Sequence, residues 1–176
     1  MENLIRDWGY IILFLYSFGG GFLALAAAGV LSYSGELNIF LAILIAGSSN
    51  FIGDQFLFYL ARNNKHYAKD MMKKYGRKIA YSHLLMRKYG SLVIFIQKYL
   101  YGIKTLIPLA IGLTKFNPLK FAFYNLLATA IWAVLVGWIS YSLGEIVMQY
   151  ASEAKYYGLA FLAVLLLGIS YMFKRI

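Results

Sequence analysis

Five stretches of this 176-residue chain are apolar over lengths comparable to a bilayer's depth. Residues 8–35, 121–144 and 156–173 carry no charged side chain, residues 37–61 carry only Asp54, and residues 91–114 carry only Lys98 and Lys104. An uncharged run of roughly 18 residues or more is long enough to cross a bilayer as a helix. Residues 37–61, 118–144 and 156–173 therefore read as transmembrane helices. The other two stretches are interrupted. Gly19-Gly20-Gly21 divides residues 8–34, and each glycine costs a helix interior about 1 kcal/mol relative to alanine. Residues 91–114 are broken by Tyr101-Gly102 and by Pro108.

Charge gives the interrupted stretches a direction. Between residues 62 and 88 lie nine lysines and arginines against one acid, Asp70, which places this connection and the tail at Lys174 and Arg175 in the cytoplasm. Residues 91–114 are flanked by Arg87 and Lys88 on one side and by Lys115 and Lys120 on the other. Basic flanks at both ends predict a re-entrant helical hairpin that enters and leaves on the cytoplasmic face. The triple glycine makes residues 8–34 its counterpart from the opposite face. The connection around residues 145–155, with two acids and one base, falls outside.

Each half then comprises a hairpin followed by a spanning helix. Ala27-Ala28-Gly29-Val30-Leu31 resembles Ala110-Ile111-Gly112-Leu113-Thr114, and about 30 residues on, Leu57-Phe58-Tyr59-Leu60 echoes Ile139-Ser140-Tyr141-Ser142. Inverted repeats with broken helices are the usual plan of secondary transporters, whose sites lie at midplane. The predicted fold class is an all-α membrane protein: two opposed re-entrant hairpins, three transmembrane helices and one interfacial helix, in a single integral membrane domain. The interfacial helix is residues 65–88. Ala68, Met72, Tyr75 and Ile79 recur on one face with lysines and arginines elsewhere, a pattern suited to anionic lipid headgroups.

Composition agrees with a membrane-embedded chain: 61% hydrophobic residues, 14% charged and a net charge of +10. The apolar run after Met1 exceeds a signal-peptide core and lacks a basic lead-in, so it is expected to stay in the mature protein. With no cysteine, no close carboxylate pair and no phosphate-gripping glycine loop, an enzyme is not indicated, and no cofactor is called for. His66 and His83 lack a second ligand at metal spacing and read as solvated. The basic stretch is explained by topology, so no nucleic-acid partner is inferred. Trp132 and Trp138 read as interfacial anchors or packing residues.

Lys98 and Lys104 are the informative residues. An ionisable group at bilayer depth costs several kcal/mol, by about 2.5–3.5 on the lenient scales, and usually faces a protein interior or a watery path. Six residues span roughly 9 Å of helix, so the two cannot both sit at midplane and both reach the surface. Asp54, near the cytoplasmic end of its span, pairs with one of them, relays a proton or caps packing near the basic interface, and structural pairing is set against a direct role in transport. Asn50, one turn earlier, lines the same cavity or bonds between helices.

These residues resemble a known family. Gly53-Asp54 with Tyr59 and Arg62, then Phe95-x-x-Lys98-Tyr-x-x-Gly102-x-Lys104-Thr, Gly112-Leu, Phe121 and Trp132, look like the DedA family, also called SNARE-associated or VTT-domain membrane proteins. The likeness covers roughly residues 19–144. It implies two opposed re-entrant hairpins and movement of lipids between leaflets, in bacteria of polyprenyl-phosphate carriers or phospholipids. Its two key arginines match Lys98 and Lys104. The chain departs from the pattern in that lysine replaces both arginines, Tyr101-Gly102 replaces Pro-Gly, and the first hairpin has no acid. Lysine keeps the charge but loses the planar fork that grips a phosphate bidentately.

The resulting expectation is a lipid translocase of the bacterial inner membrane, multi-pass with a cytoplasmic C-terminus. A phosphate headgroup would meet Lys98, Lys104, Asp54, Asn50, Tyr101 and Gly102 beside the Gly19–Gly21 turn. Membrane lipids are the expected partners, and self-association stays open. Two alternatives stand beside this: a proton- or ion-coupled transporter, and a non-transporting scaffold derived from the family.

Overall fold

The computed structural model describes residues 2–100 and 103–153. Within them every regular element is helical: α1 (Glu2–Phe18), α2 (Phe22–Tyr33), α3 (Ile39–Asn63), α4 (Lys65–Tyr89), α5 (Val93–Ile96), α6 (Leu106–Gly112), α7 (Pro118–Ser142) and α8 (Gly144–Glu153). Two of them, α3 and the run continuing from α7 into α8, are long and apolar enough to cross a membrane. The expected span at residues 156–173 lies outside the described residues.

Local chemistry sets the boundaries. Asn38 starts α3 by accepting hydrogen bonds from the amides of Phe40 (2.9 Å) and Leu41 (3.2 Å). Asn117 does the same for α7 at Leu119 and Lys120, with Pro118 in the first turn, where its missing N–H costs nothing. Between α1 and α2 the chain reverses through Gly20 (φ 143°) and Gly21 (φ 43°), conformations that glycine alone adopts without strain. A Cβ on Gly21 would also collide with Ser17.

Helices α3 and α7 pack together at the centre. The remaining pieces are arranged reciprocally: α1 packs on α3 and α5 on α7, whereas α2 crosses to α7 and α6 crosses to α3. The two crossing contacts use the two glycines that echo each other in sequence. A Cβ on Gly29 would come within 2.7 Å of Ser140 Cβ and 2.9 Å of the Gly137 carbonyl on α7, and one on Gly112 would strike the Phe58 carbonyl of α3. Two apolar cores result. Leu13, Leu25, Ala42, Ala46 and Trp132 fill one, and Phe58, Ile94, Ile107, Ile111 and Phe121 the other. In the second core the Phe58 and Phe121 rings stack with centroids 4.4 Å apart.

Two expectations need correction. Pro108 does not break the second hairpin: it is the third residue of α6, where an N–H has no intrahelical acceptor and proline is tolerated. Among the described residues the interruption falls at Leu100 (φ −92°, ψ 89°) and at residues 103–105. The inward face of α4 is not the predicted one throughout. Met72 is 53% exposed, and Tyr67 and Met71 join Tyr75, a member of the expected face, against Ala61, Leu106 and Leu109. A kink at Tyr75 (φ −126°, ψ 25°) rotates the first half by one position relative to the second, where Ile79 is buried as predicted. The side chain of Ala68 lies outside the described residues.

Candidate functional site

The buried polar side chains gather where the α1–α2 turn meets the second hairpin. On α3, Asn50 and Asp54 are one turn apart and share a face. Both point inward, at 0% and 3% exposure. Lys98 arrives from the 3₁₀ turn after α5 and is itself 3% exposed. Its Nζ donates to Asp54 Oδ2 at 2.6 Å and to Asn50 Oδ1 at 2.7 Å. Gln97 Nε2 approaches the same carboxylate oxygen at 3.4 Å. Asn50 in turn donates its Nδ2 to the Ser17 carbonyl at 3.2 Å, and Ser49 Oγ donates to the Phe14 carbonyl. The α3 polar face thus ties the end of α1 to the second hairpin. Gly53 makes this approach feasible, since a Cβ there would collide with the Phe18 carbonyl.

Lys104 has a different environment. It lies in the second hairpin's tip and reaches across to the first, donating from Nζ to the Gly20 carbonyl at 2.8 Å. Its ammonium also sits 4.8 Å from the centre of the Trp132 ring, within cation–π range. Among the described residues no carboxylate pairs with it. Asp54 is already bonded to Lys98, so the site carries one uncompensated positive charge, at Lys104.

That charge faces a cavity of about 410 Å³ between the two hairpins. Its wall is formed by Lys98, Lys104 and Thr105 on one side and by Tyr16, the Gly19–Gly21 turn and the start of α2 on the other. The glycines supply backbone where side chains would close the space. Lys98, Lys104, Asp54, Asn50, Gly19, Gly20 and Gly21 are therefore brought into one neighbourhood. Tyr101 and Gly102 lie outside the described residues.

Trp132 takes the second of its two expected roles, packing residue rather than interfacial anchor. It is fully buried at the centre of α7, beneath Lys104, because α2 and α3 cover that face of α7. Trp138, 51% exposed, keeps an outward position. Ser17 and Gln97 were not singled out from sequence. Gln97 had a legible signal, a second polar residue next to Lys98 inside an apolar run, whereas Ser17 had none. Ser17 Oγ, Gln97 Oε1 and Trp132 Nε1 are buried without a hydrogen-bond partner in the described structure. Arg62 is structural: its Nη2 donates to the carbonyls of Thr114 and Phe116, both at 2.7 Å, and its guanidinium covers the Phe58 ring.

The class these features define is a helical membrane protein with an apolar exterior and a charged, cavity-bearing interior. The chain matches the VTT domain over residues 18–142, and it belongs to this family, the DedA family of membrane proteins. It is 24% identical over 180 residues to inner membrane protein YohD of Escherichia coli, covering 99% of this chain and 94% of that protein. It is 26% identical over 164 residues to undecaprenyl phosphate transporter A of Staphylococcus aureus, covering 86% and 81%. Neither relative is named as an enzyme. No solved structure matches the chain significantly.

Proposed function

We propose that this protein moves a phosphate-bearing lipid, a polyprenyl phosphate or a phospholipid, between the leaflets of a bacterial inner membrane. The observation that carries the reading is Lys104: a partly buried cation, paired with no acid among the described residues, facing a cavity between the two hairpins. A lone charge at that depth is costly unless an anion visits it. A phosphate headgroup is such an anion, and its hydrocarbon can remain in apolar surroundings. The name of the Staphylococcus aureus relative supports a lipid phosphate as cargo.

In this reading the two hairpins are re-entrant from opposite faces and the reciprocal packing on α3 and α7 reflects an inverted repeat. The chain is a single multi-pass domain with its C-terminus in the cytoplasm. The exposed basic face of α4, including Lys73, Lys74 and Arg77, rests on anionic headgroups at that surface. Lys98 and Asp54 position the hairpins, and Lys104 meets the headgroup. Proton coupling would require Asp54 to exchange its proton while bonded to Lys98, so the buried pair favours transport without it.

Reconstitution into liposomes with labelled polyprenyl phosphate or phospholipid tests the assignment. Lys104→Met should slow flipping at least tenfold, about 1.4 kcal/mol, and Lys104→Arg should restore it. Flipping by Lys104→Met at the wild-type rate would refute the role of Lys104. A wild-type protein that moves neither lipid would favour the scaffold, and proton flux abolished by Asp54→Asn would favour the ion transporter.

A further inference from the structure

A second cavity, about 550 Å³, runs along the first hairpin, and its wall is almost entirely apolar. From α1 it takes Trp8, Ile12 and Leu13, and from α2 it takes Ala24, Ala27 and Leu31. Ala24, Ala27 and Leu31 are spaced at i, i+3 and i+7, one face of a helix. Seven residues of rise make the groove about 10 Å long. Its depth comes from composition: alanines stand where larger apolar side chains would fill the space between the two helices. At its inner end lies Ala24, which also borders the Lys104 cavity. Ala24 thus stands between the cavity that reaches Trp8 and Leu31 at the far end of the hairpin and the one that holds the glycine turn and the lysine.

We infer that this groove holds the hydrocarbon chain of the lipid whose phosphate is met at Lys104, so that the first hairpin binds the tail while the second hairpin's cation binds the head. The inference rests on the proposed function. A smooth apolar trough ending at a single uncompensated cation is complementary to a ligand with one anionic end and one hydrocarbon end. A free phosphate would use only the cavity. A peptide segment would bring backbone donors and acceptors into a trough whose wall offers them almost no polar surface. The small-residue face of α2 thereby acquires a role besides packing: it sets the width available to the chain.

The test compares prenyl monophosphates of different length on the full chain in detergent, by calorimetry. Wild type should bind farnesyl phosphate at least tenfold tighter than isopentenyl phosphate. Ala27→Phe, at an exposed groove position where a larger side chain needs no repacking, should abolish that preference and leave isopentenyl phosphate affinity within twofold. An unchanged preference in Ala27→Phe overturns the groove while leaving the headgroup site standing. If neither probe shows binding that Lys104→Met removes, the proposed function fails and the groove's role with it. The chain's lack of cysteine allows one more control. A disulfide formed between Ala27→Cys and a cysteine introduced within residues 156–173, in lipid-free protein, would make this chain's own apolar segment the occupant and overturn the inference.

Discussion

Removing either member of the Lys98–Asp54 pair should be far more damaging than removing both. The ammonium and carboxylate are 2.6 Å apart, with side-chain exposures of 0% and 4%, so neither can recover solvation by a small adjustment. In Lys98→Met the Asp54 carboxylate keeps only the Gln97 amide, at 3.4 Å. In Asp54→Leu the ammonium keeps the Asn50 oxygen but loses its counter-charge. Breaking a buried pair from one side costs about 3–5 kcal/mol, whereas replacing both partners with apolar groups of similar volume is close to neutral or stabilising. The single changes should therefore lower the unfolding midpoint in detergent by roughly 6–20 °C, at about 2–4 °C per kcal/mol for a chain of this size. Lys98→Met/Asp54→Leu should return to within a few degrees of wild type, about 1 kcal/mol. Fluorescence-detected size exclusion after heating measures all four proteins. Additive losses in the double variant would refute the reasoning, as would single changes that shift the midpoint by less than about 2 °C. Either outcome would mean that the pair is solvated and that Lys98 is a transport cation alongside Lys104. Conversely, a stable double variant that still flips lipid would confine Lys98 to positioning.

Two further predictions concern the helix contacts that frame the site. Gly53→Val and Gly112→Val each drive a side chain into a backbone carbonyl, of Phe18 and Phe58 respectively. Each should lose at least about 1–3 kcal/mol, read as reduced monodisperse yield and a lower midpoint, while Gly76→Ala, at a glycine with open space around it, should be stable. Arg62→Met removes the donor to Thr114 and Phe116 and should cost about 2 kcal/mol for its two charge-assisted bonds, discounted for partial exposure. A midpoint unchanged in that variant would show that the segment between α6 and α7 is held on α3 by packing alone.

How much was legible from sequence follows from what is local. The turn at Gly19–Gly21 and the long apolar runs depend on neighbours a few residues away, so propensity and hydrophobicity show them directly. Lys98, Lys104 and Asp54 stood out because charge in an apolar run is costly wherever the chain folds. The rotated face of α4 was not legible, since the kink at Tyr75 is imposed by packing on α6 and leaves no mark on the periodicity. Pro108 misled for a related reason: whether proline breaks a helix depends on where the helix begins, and the start of α6 at Leu106 is set by tertiary contacts with α3 and α4.

By itself, then, the sequence determined that the chain is helical, apolar outside and burdened with three ionisable groups inside, because each of these is a property of composition and short-range spacing. The pairing was decided only in three dimensions. Asp54 is 44 residues from Lys98 and Gly20 is 84 from Lys104, and nothing in either segment specifies its partner. The crossing of α2 to α7 and of α6 to α3 makes that choice. It seats one lysine on the carboxylate and leaves the other facing a cavity, because a single buried acid can neutralise only one of two cations.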